Sequence, residues 1–203
     1  MSSDTTSHTE FHIHHDAPAV VGRRERLGVR LLIVADGAFV VGMIFSYFYL
    51  RGLNANNSWV PKGGHTLAAS TGWVIAAPLI AAAIVHKIGV KSRSAVASGF
   101  VLLAMLVGGY LQWKQLAHMP FVAVDDGGRH FFEGAYASNW VVLAGANMFH
   151  YIIGAFIALG LFIRGFRAKV DPTLEYWRQL TASSWFTWIA IAGVLCAITT
   201  SIV

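Results

Sequence analysis

Cysteine and charge are both scarce in this chain. Its 203 residues include a single cysteine, Cys196, so no disulfide can form within the chain, and we expect that side chain to be a small core residue. Asp and Glu together number only ten. Four of its five long apolar runs contain no charged residue. This pattern excludes an ordinary soluble domain, in which about a quarter of the residues are charged.

The motifs of independent catalysis are missing as well. The chain has no G-x-x-x-x-G-K-[ST], no H-E-x-x-H, no C-x-x-C and no nucleophile elbow. A haem held by two histidines is also disfavoured, because His150 lies well inside an apolar run and His86 at the edge of another, about 12 Å or more away in helix rise. The sequence therefore indicates no catalytic residues and no metal ligands within the spans.

What the chain does have is hydrophobic length. Apolar residues make up 56% of it and the mean hydropathy is +0.57. Runs of about 20 residues can cross a bilayer as helices, and lipid requires that their backbone groups be satisfied internally. The predicted spans are 31–50, 67–85, 95–113, 140–163 and 183–203. We therefore predict an all-α, polytopic membrane protein with a bundle of five transmembrane helices.

The positions of the basic residues predict the orientation of this bundle. Of the 15 Lys and Arg residues, eleven fall before the first span or in the second and fourth connections, and four fall on the opposite side. The positive-inside rule then places the amino terminus in the cytoplasm and the carboxyl terminus outside. We interpret the net charge of +5 as this topology signal and expect no nucleic-acid partner.

The chain is predicted to hold one membrane domain behind a polar tail. Residues 1–22 are rich in Ser, Thr and His and read as a flexible cytoplasmic segment, and residues 23–203 as a single domain. A His-rich tract in the tail could bind a metal ion and comprises His8, His12, His14 and His15. The first span exceeds the usual apolar core of a signal peptide, so we expect it to be retained. DDGG at 125–128 predicts a turn.

Asp36 is the only acidic residue inside a membrane-length apolar run. An ionisable group there costs about 2.5 to 3.5 kcal/mol or more, so we expect its side chain to face protein or water and to have a function. Gln112, Gln115, Asn147 and His150 are the other polar residues in the bundle, and hydrogen bonding between helices would also explain them. We expect Arg51 to extend to the outer interface.

The first span resembles the first helix of the short, five-helix form of subunit III of haem–copper terminal oxidases. The matching residues, in which an acid precedes an arginine by fifteen positions, are Asp36, Phe39, Gly42, Tyr47, Phe48 and Arg51. GGYLQWKQ places Gln112 at a family position, with Gln115 where Glu is usual. NMFHYIIG is similar to a His-x-x-His-x-x-x-Gly pattern, with Asn147 and His150 at the two His positions. EYWRQL is similar to the segment before the last helix, with Arg178 in place of His.

The resemblance implies a non-catalytic subunit of a respiratory oxidase in the bacterial inner membrane. Such a subunit binds no haem or copper itself, contacts subunit I, which carries them, and assembles with subunit II and other small subunits. It holds structural phospholipids and supports proton uptake. The candidates for proton or lipid contact are Asp36, Arg51, Gln112, Asn147 and His150. The expected interface anchors are Trp59, Trp177 and Trp185.

Two other functions stay open at this point. An accessory subunit of a nitric oxide reductase belongs to the same superfamily and would share these motifs. A small subunit of a proton-coupled transporter would use Asp36 as its coupling site, although the sequence has no evident inverted repeat. The sequence does not distinguish cytochrome c from quinol as the electron donor.

Overall fold

A computed structural model describes residues 16–90, 95–124, 127, 130–166 and 171–202. Its five long helices are α1 (Pro18–Leu53), α2 (Ala69–Gly89), α3 (Ala95–Ala117), α4 (Gly134–Gly165) and α5 (Pro172–Ser201). Each is long and apolar enough to span a membrane, so the prediction of five such helices is confirmed. A short 3-10 helix, Ala55–Asn57, follows α1.

Helix α1 begins earlier than the sequence predicted. It starts at Pro18, so residues 18–22 are helical and do not belong to a flexible tail. Proline suits the first helical position because its fixed φ is helical and its missing N–H would be unpaired there anyway. The hydrophobic run marked only the part of the helix that matches the bilayer. The His-rich tract, residues 8–15, lies outside the described residues.

A small β-hairpin interrupts the otherwise helical fold, which the all-α prediction missed. Strands β1 (Val122–Val124) and β2 (His130–Phe132) are antiparallel, with Val122 opposite Phe132 and Val124 opposite His130. Three-residue strands are too short to give a recognisable period in a sequence. The predicted turn at 125–128 falls between them, but only Gly127 of its four residues is among those described.

The two ends of the bundle can be named by their contents. The hairpin face holds the hairpin, the end of α1 and the end of α5, where the Tyr47 hydroxyl donates to the carbonyl of Ile202 at 2.8 Å. The amino-terminal face holds the start of α1 and α5, the end of α2 and the start of α3. Positive-inside logic predicts that the hairpin face is the outer one.

Helix α5 is the central element and α1 the peripheral one. In the most apolar window of α5, 56% of the residues are buried, against 17% in α1. Helix α5 packs against α1 and α2, and α3 packs against α2 and α4. The buried side chains form one cluster around Phe186 and Ile189 and a second around Tyr47 and Tyr136, and Trp188 packs against both.

Close approach of α3 to α4 depends on a glycine. A Cβ atom at Gly108 would overlap the ring of Tyr151. That ring is fixed, because it is buried and its hydroxyl donates to the backbone carbonyl of Ile75 on α2. Small residues allow such approach between membrane helices. Gly108 therefore lets one tyrosine join α2, α3 and α4.

Candidate functional site

Asp36 lies near the middle of α1, where three helices meet. It is 18 residues from the start of the helix, about 27 Å of rise, and 17 residues from its end. Its side chain is 14% exposed. As the sequence predicted, the carboxyl group faces protein.

Two side chains from other helices bind this carboxyl group. The indole Nε1 of Trp188 on α5 donates to Oδ2 of Asp36 at 2.6 Å. Nε2 of His150 on α4 lies 2.9 Å from the same oxygen, and the His150 side chain is only 2% exposed. Charge-assisted bonds of this kind are shorter and stronger than neutral ones. The three residues therefore form a compact polar site, which we call the Asp36 site.

The chemistry of the Asp36 site is that of a proton-binding pair. An ionised carboxylate only accepts hydrogen bonds, so His150 must then carry its proton on Nε2. The other ring nitrogen, Nδ1, is buried and has no hydrogen-bond partner among the described atoms. It can accept one further proton, which would make His150 an imidazolium beside the carboxylate. The pair can thus hold or release a proton in the interior of the helix bundle.

A second polar group lies between the Asp36 site and the hairpin face. Gln112 on α3 is buried and donates from Nε2 to Oε1 of Gln115 at 2.7 Å. Asn147 on α4 is 7% exposed, and its Oδ1 has no hydrogen-bond partner among the described atoms. All three line a cavity of about 20 Å³, together with Thr200 and Cys196 of α5.

Arg51 is the predicted candidate that lies farthest from the Asp36 site. The fifteen residues between Asp36 and Arg51 correspond to about 22 Å of helix rise. Arg51 occupies the last turn of α1 and acts electrostatically on Tyr47 at the hairpin face. The fifteen-residue interval of the first-span motif therefore separates Asp36 and Arg51 too far for a salt bridge between them.

Two of the three expected tryptophan anchors are core residues. Trp59 is 7% exposed, and its ring meets Tyr47 edge-on with centroids 4.8 Å apart. Trp185 is 2% exposed and contacts His150 edge-on at 6.2 Å. Their large apolar rings gain more from burial than an interface position would give. Trp177 is partly exposed and packs against Gly22 at the amino-terminal face, where an anchor is plausible.

The sequence reasoning missed Trp188 and Glu175. Trp188 was not among the predicted site residues, although its spacing of three from Trp185 places both on one side of α5. Glu175 lies in the first turn of α5, outside the predicted span, and is buried beside Arg164 at 3.6 Å and Gln179 at 3.2 Å. EYWRQL contains this acid, but nothing in the sequence marks it as buried.

His86 does not join the Asp36 site. It is buried on α2, its ring lies 4.9 Å from that of Phe186, and Gln179 is its polar neighbour. His150 instead binds Asp36. Among the residues that the structure describes, no group of three or more His, Cys, Asp and Glu side chains could hold a metal ion.

One titratable pair lies outside the membrane-spanning helices. Nδ1 of His65, in the loop before α2, is 3.0 Å from Oε2 of Glu133, which also accepts from the His65 backbone N–H at 3.1 Å. The hydrogen bond from His65 holds the pKa of Glu133 below its ordinary value. This pair connects the loop after α1 with the start of α4.

No protein-family model matches this chain, and no curated protein matches it. The chain itself has a buried Asp–His–Trp site near the middle of its long helices, with a polar cavity about one helical turn away.

Proposed function

We propose that this chain is a non-catalytic subunit of a respiratory haem–copper oxidase, of the five-helix subunit III type, in the bacterial inner membrane. The observation that carries the proposal is the contact between Asp36 and His150 at 2.9 Å, across 114 residues of sequence. The resemblance used the first-span and fourth-span motifs separately. Contact between a residue of one motif and a residue of the other supports a shared role, because two unrelated chance matches would not be expected to lie together in the fold.

In this proposal the chemistry of oxygen belongs to the partner. Subunit I holds the haem and copper, and this chain supplies contacts, lipid and a buried proton-binding pair. A carboxylate hydrogen-bonded to an imidazole can receive a proton from it and return it. The Asp36 site would thereby support proton uptake by the complex over many turnovers.

Helix α1 is the part of the chain that we expect to contact subunit I. It is the least buried of the five helices, and one side of it exposes large apolar residues. These residues are Leu31, Val34, Phe39, Val41 and Phe45. An apolar helix face of this kind packs equally well against lipid or a neighbouring helix, and it adjoins the Asp36 site directly.

A cleft at the amino-terminal face fits a structural phospholipid. It has a volume of about 570 Å³ and lies between α1, α4 and α5. Its wall is apolar near Ile157 and Leu161, its charged residues are Glu25, Arg164 and Arg178, and Thr181 adds a hydroxyl group. Arginines bind phosphate well, and Glu25, 3.7 Å from Arg178, could accept from an amino headgroup. Acyl chains would then occupy the apolar part.

Co-purification tests this proposal. The full chain, tagged and extracted from its native membrane in mild detergent, is expected to elute with a larger subunit that shows a haem absorbance spectrum and consumes oxygen. A chain that elutes without haem absorbance after crosslinking in the membrane would refute the proposal. Gly37→Ala serves as the control variant for the test of Asp36 that follows, since its new Cβ would make only ordinary contact with Trp188 at 3.4 Å.

The role of Asp36 has its own test in the purified complex. We expect Asp36→Asn to leave assembly largely intact but to shorten the time over which oxygen consumption continues, or to slow proton uptake, because the proton-binding pair is lost. Gly37→Ala should behave as the wild type. Unchanged turnover over many cycles in Asp36→Asn would reduce Asp36 to a structural residue.

Two assays separate the alternatives. A nitric oxide reductase complex would consume nitric oxide and not oxygen under the same conditions. A proton-coupled transporter is favoured by one observation, the position of the Asp36 site between cavities towards both faces. In that case the chain alone would carry proton-driven flux in liposomes, and Asp36→Asn would abolish it.

A further inference from the structure

We propose that the small cavity beside Asn147 is a water site through which the Asp36 site communicates with the hairpin face of the membrane. This inference goes beyond the proposed function, because it concerns the side from which protons reach Asp36 and holds for any partner. It starts from the polar atoms that line the cavity.

The cavity has the size and lining of a water site. Its volume of about 20 Å³ exceeds the roughly 10 to 15 Å³ that one water molecule requires. Gln112, Gln115, Asn147 and Thr200 provide polar groups from three helices. Asn147 is 7% exposed and its Oδ1 lacks a hydrogen-bond partner among the described atoms. A buried amide oxygen without a partner is destabilising, and one bound water would offset that cost.

The same cavity lies about one helical turn from the Asp36 site. Asn147 and His150 are three residues apart on α4, so they share a helix face with about 4.5 Å of rise between them. Nδ1 of His150 is the second buried polar atom without a partner on that face. On α5, Cys196 lines the cavity and lies within the electrostatic reach of Asp36. Water at Asn147 is therefore close to the proton-accepting nitrogen.

The polar lining leads to the hairpin face. Gln115 is two residues from the end of α3, Thr200 one residue from the end of α5, and Gly72 three residues from the start of α2. All three of these helix ends lie at the hairpin face. The polar groups thus extend from mid-membrane to that surface within the hairpin half of the bundle.

The opposite cleft is less suited to water. It is far larger, and its wall between the charged mouth and Trp185 is apolar except at Thr181, whose buried Oγ1 has no hydrogen-bond partner among the described atoms. Apolar cavities stay dry or bind apolar molecules, whereas polar ones hold water.

A proton from the hairpin side would bind Nδ1 of His150, and the Nε2 proton would pass to Oδ2 of Asp36. The reverse transfers would return it to the water.

Silver ions can test the sidedness, because they are small enough to follow water and they replace the proton of a thiol. Cys196 is the only cysteine, so the full chain carries one reporter. Right-side-out and inverted membrane vesicles are treated with silver nitrate, quenched, denatured and alkylated, and the unalkylated fraction is measured by mass spectrometry. A terminal tag reports which face is outside in each preparation.

We expect silver to protect Cys196 from alkylation at least tenfold faster when it is added at the hairpin face than when it is added at the amino-terminal face. Asn147→Leu should slow that reaction about tenfold, because it removes the polar group at the inner end of the cavity. Asn139→Leu is the matched control on the same helix, since Nδ2 of Asn139 donates to the backbone carbonyl of Ala135 at 2.8 Å and Asn139 does not line the cavity. Equal rates from both faces, or faster reaction from the amino-terminal face, would overturn the proposal.

A second measurement guards against a misfolded variant. In bilayers containing the full chain with ¹⁵N-labelled asparagine, water-edited solid-state NMR should show magnetisation transfer from water to the Asn147 side-chain amide. Its rate should approach that of Asn139, which lies near the hairpin face. The Asn147 signal is assigned by its absence from the spectrum of Asn147→Leu. If this signal receives no magnetisation from water in the wild type, the water site is refuted even if silver reacts.

Discussion

At the scale of single residues, the Asp36 carboxyl group determines which other side chains must be polar. Both hydrogen bonds to it come from helices that follow it by more than a hundred residues. The sequence revealed Asp36 and His150 because charge and imidazole are conspicuous in apolar runs. It did not reveal Trp188, because an indole is common in membrane helices and its N–H partner depends on packing.

Removing the indole donor should weaken the bundle measurably. We expect Trp188→Phe to lower the free energy of unfolding by about 0.6 to 1.7 kcal/mol, the range for single hydrogen bonds between membrane helices, plus a smaller packing loss. Unfolding of the purified chain by sodium dodecyl sulfate in mixed micelles measures this. In an Asp36→Asn background the loss should shrink, and equal losses in both backgrounds would show that the bond contributes nothing.

The His65–Glu133 pair makes a prediction about pH. Because the folded-state pKa of Glu133 lies below its ordinary value of 4.5, the pair stabilises the loop fully above that value. The contribution is lost as the pH falls through the lower, folded pKa. His65→Ala should return the Glu133 pKa towards 4.5, which ¹³C NMR titration of labelled glutamate would record. An unaltered titration curve would mean that His65 is not the cause.

At the scale of elements, sequence reasoning located the helices better than it located their faces. The apolar runs predicted five helices, and the structure has them with longer ends. Which residues of each helix turn inward was harder to predict, because membrane helices are apolar on all sides and periodicity fails. The burial of Trp59 and Trp185 was missed for this reason, because tryptophan as a residue type suggested an interface position.

The contact between α3 and α4 can be tested with two adjacent glycines. Gly108→Ala should destabilise the bundle by about 1 to 3 kcal/mol, because the new methyl group overlaps the buried ring of Tyr151. Gly109→Ala is the control, since its Cβ would lie 3.5 Å from Tyr151 Cβ, an ordinary contact. Unfolding in mixed micelles compares them. Similar stabilities would indicate that α3 and α4 can separate without cost.

At the scale of the whole molecule, orientation is the property that composition predicts and packing does not. Eleven basic residues on one side predict a cytoplasmic amino terminus. Alkaline phosphatase fused after Val203 should therefore be active, and green fluorescent protein fused there should not fluoresce. The reverse pattern would show that the bundle has the opposite orientation in the membrane. The side assigned to the polar cavity would then change with it.

The Asp36 site also has a consequence for biosynthesis. Asp36 is synthesised 152 residues before Trp188, and α5 leaves the ribosome after α1 to α4. At about 5 to 20 residues per second, the carboxyl group waits roughly 8 to 30 seconds for its second partner. Nascent chains that stall before α5 would expose an unpaired acid to the insertion machinery, which gives quality-control proteases a chemical mark of incompleteness.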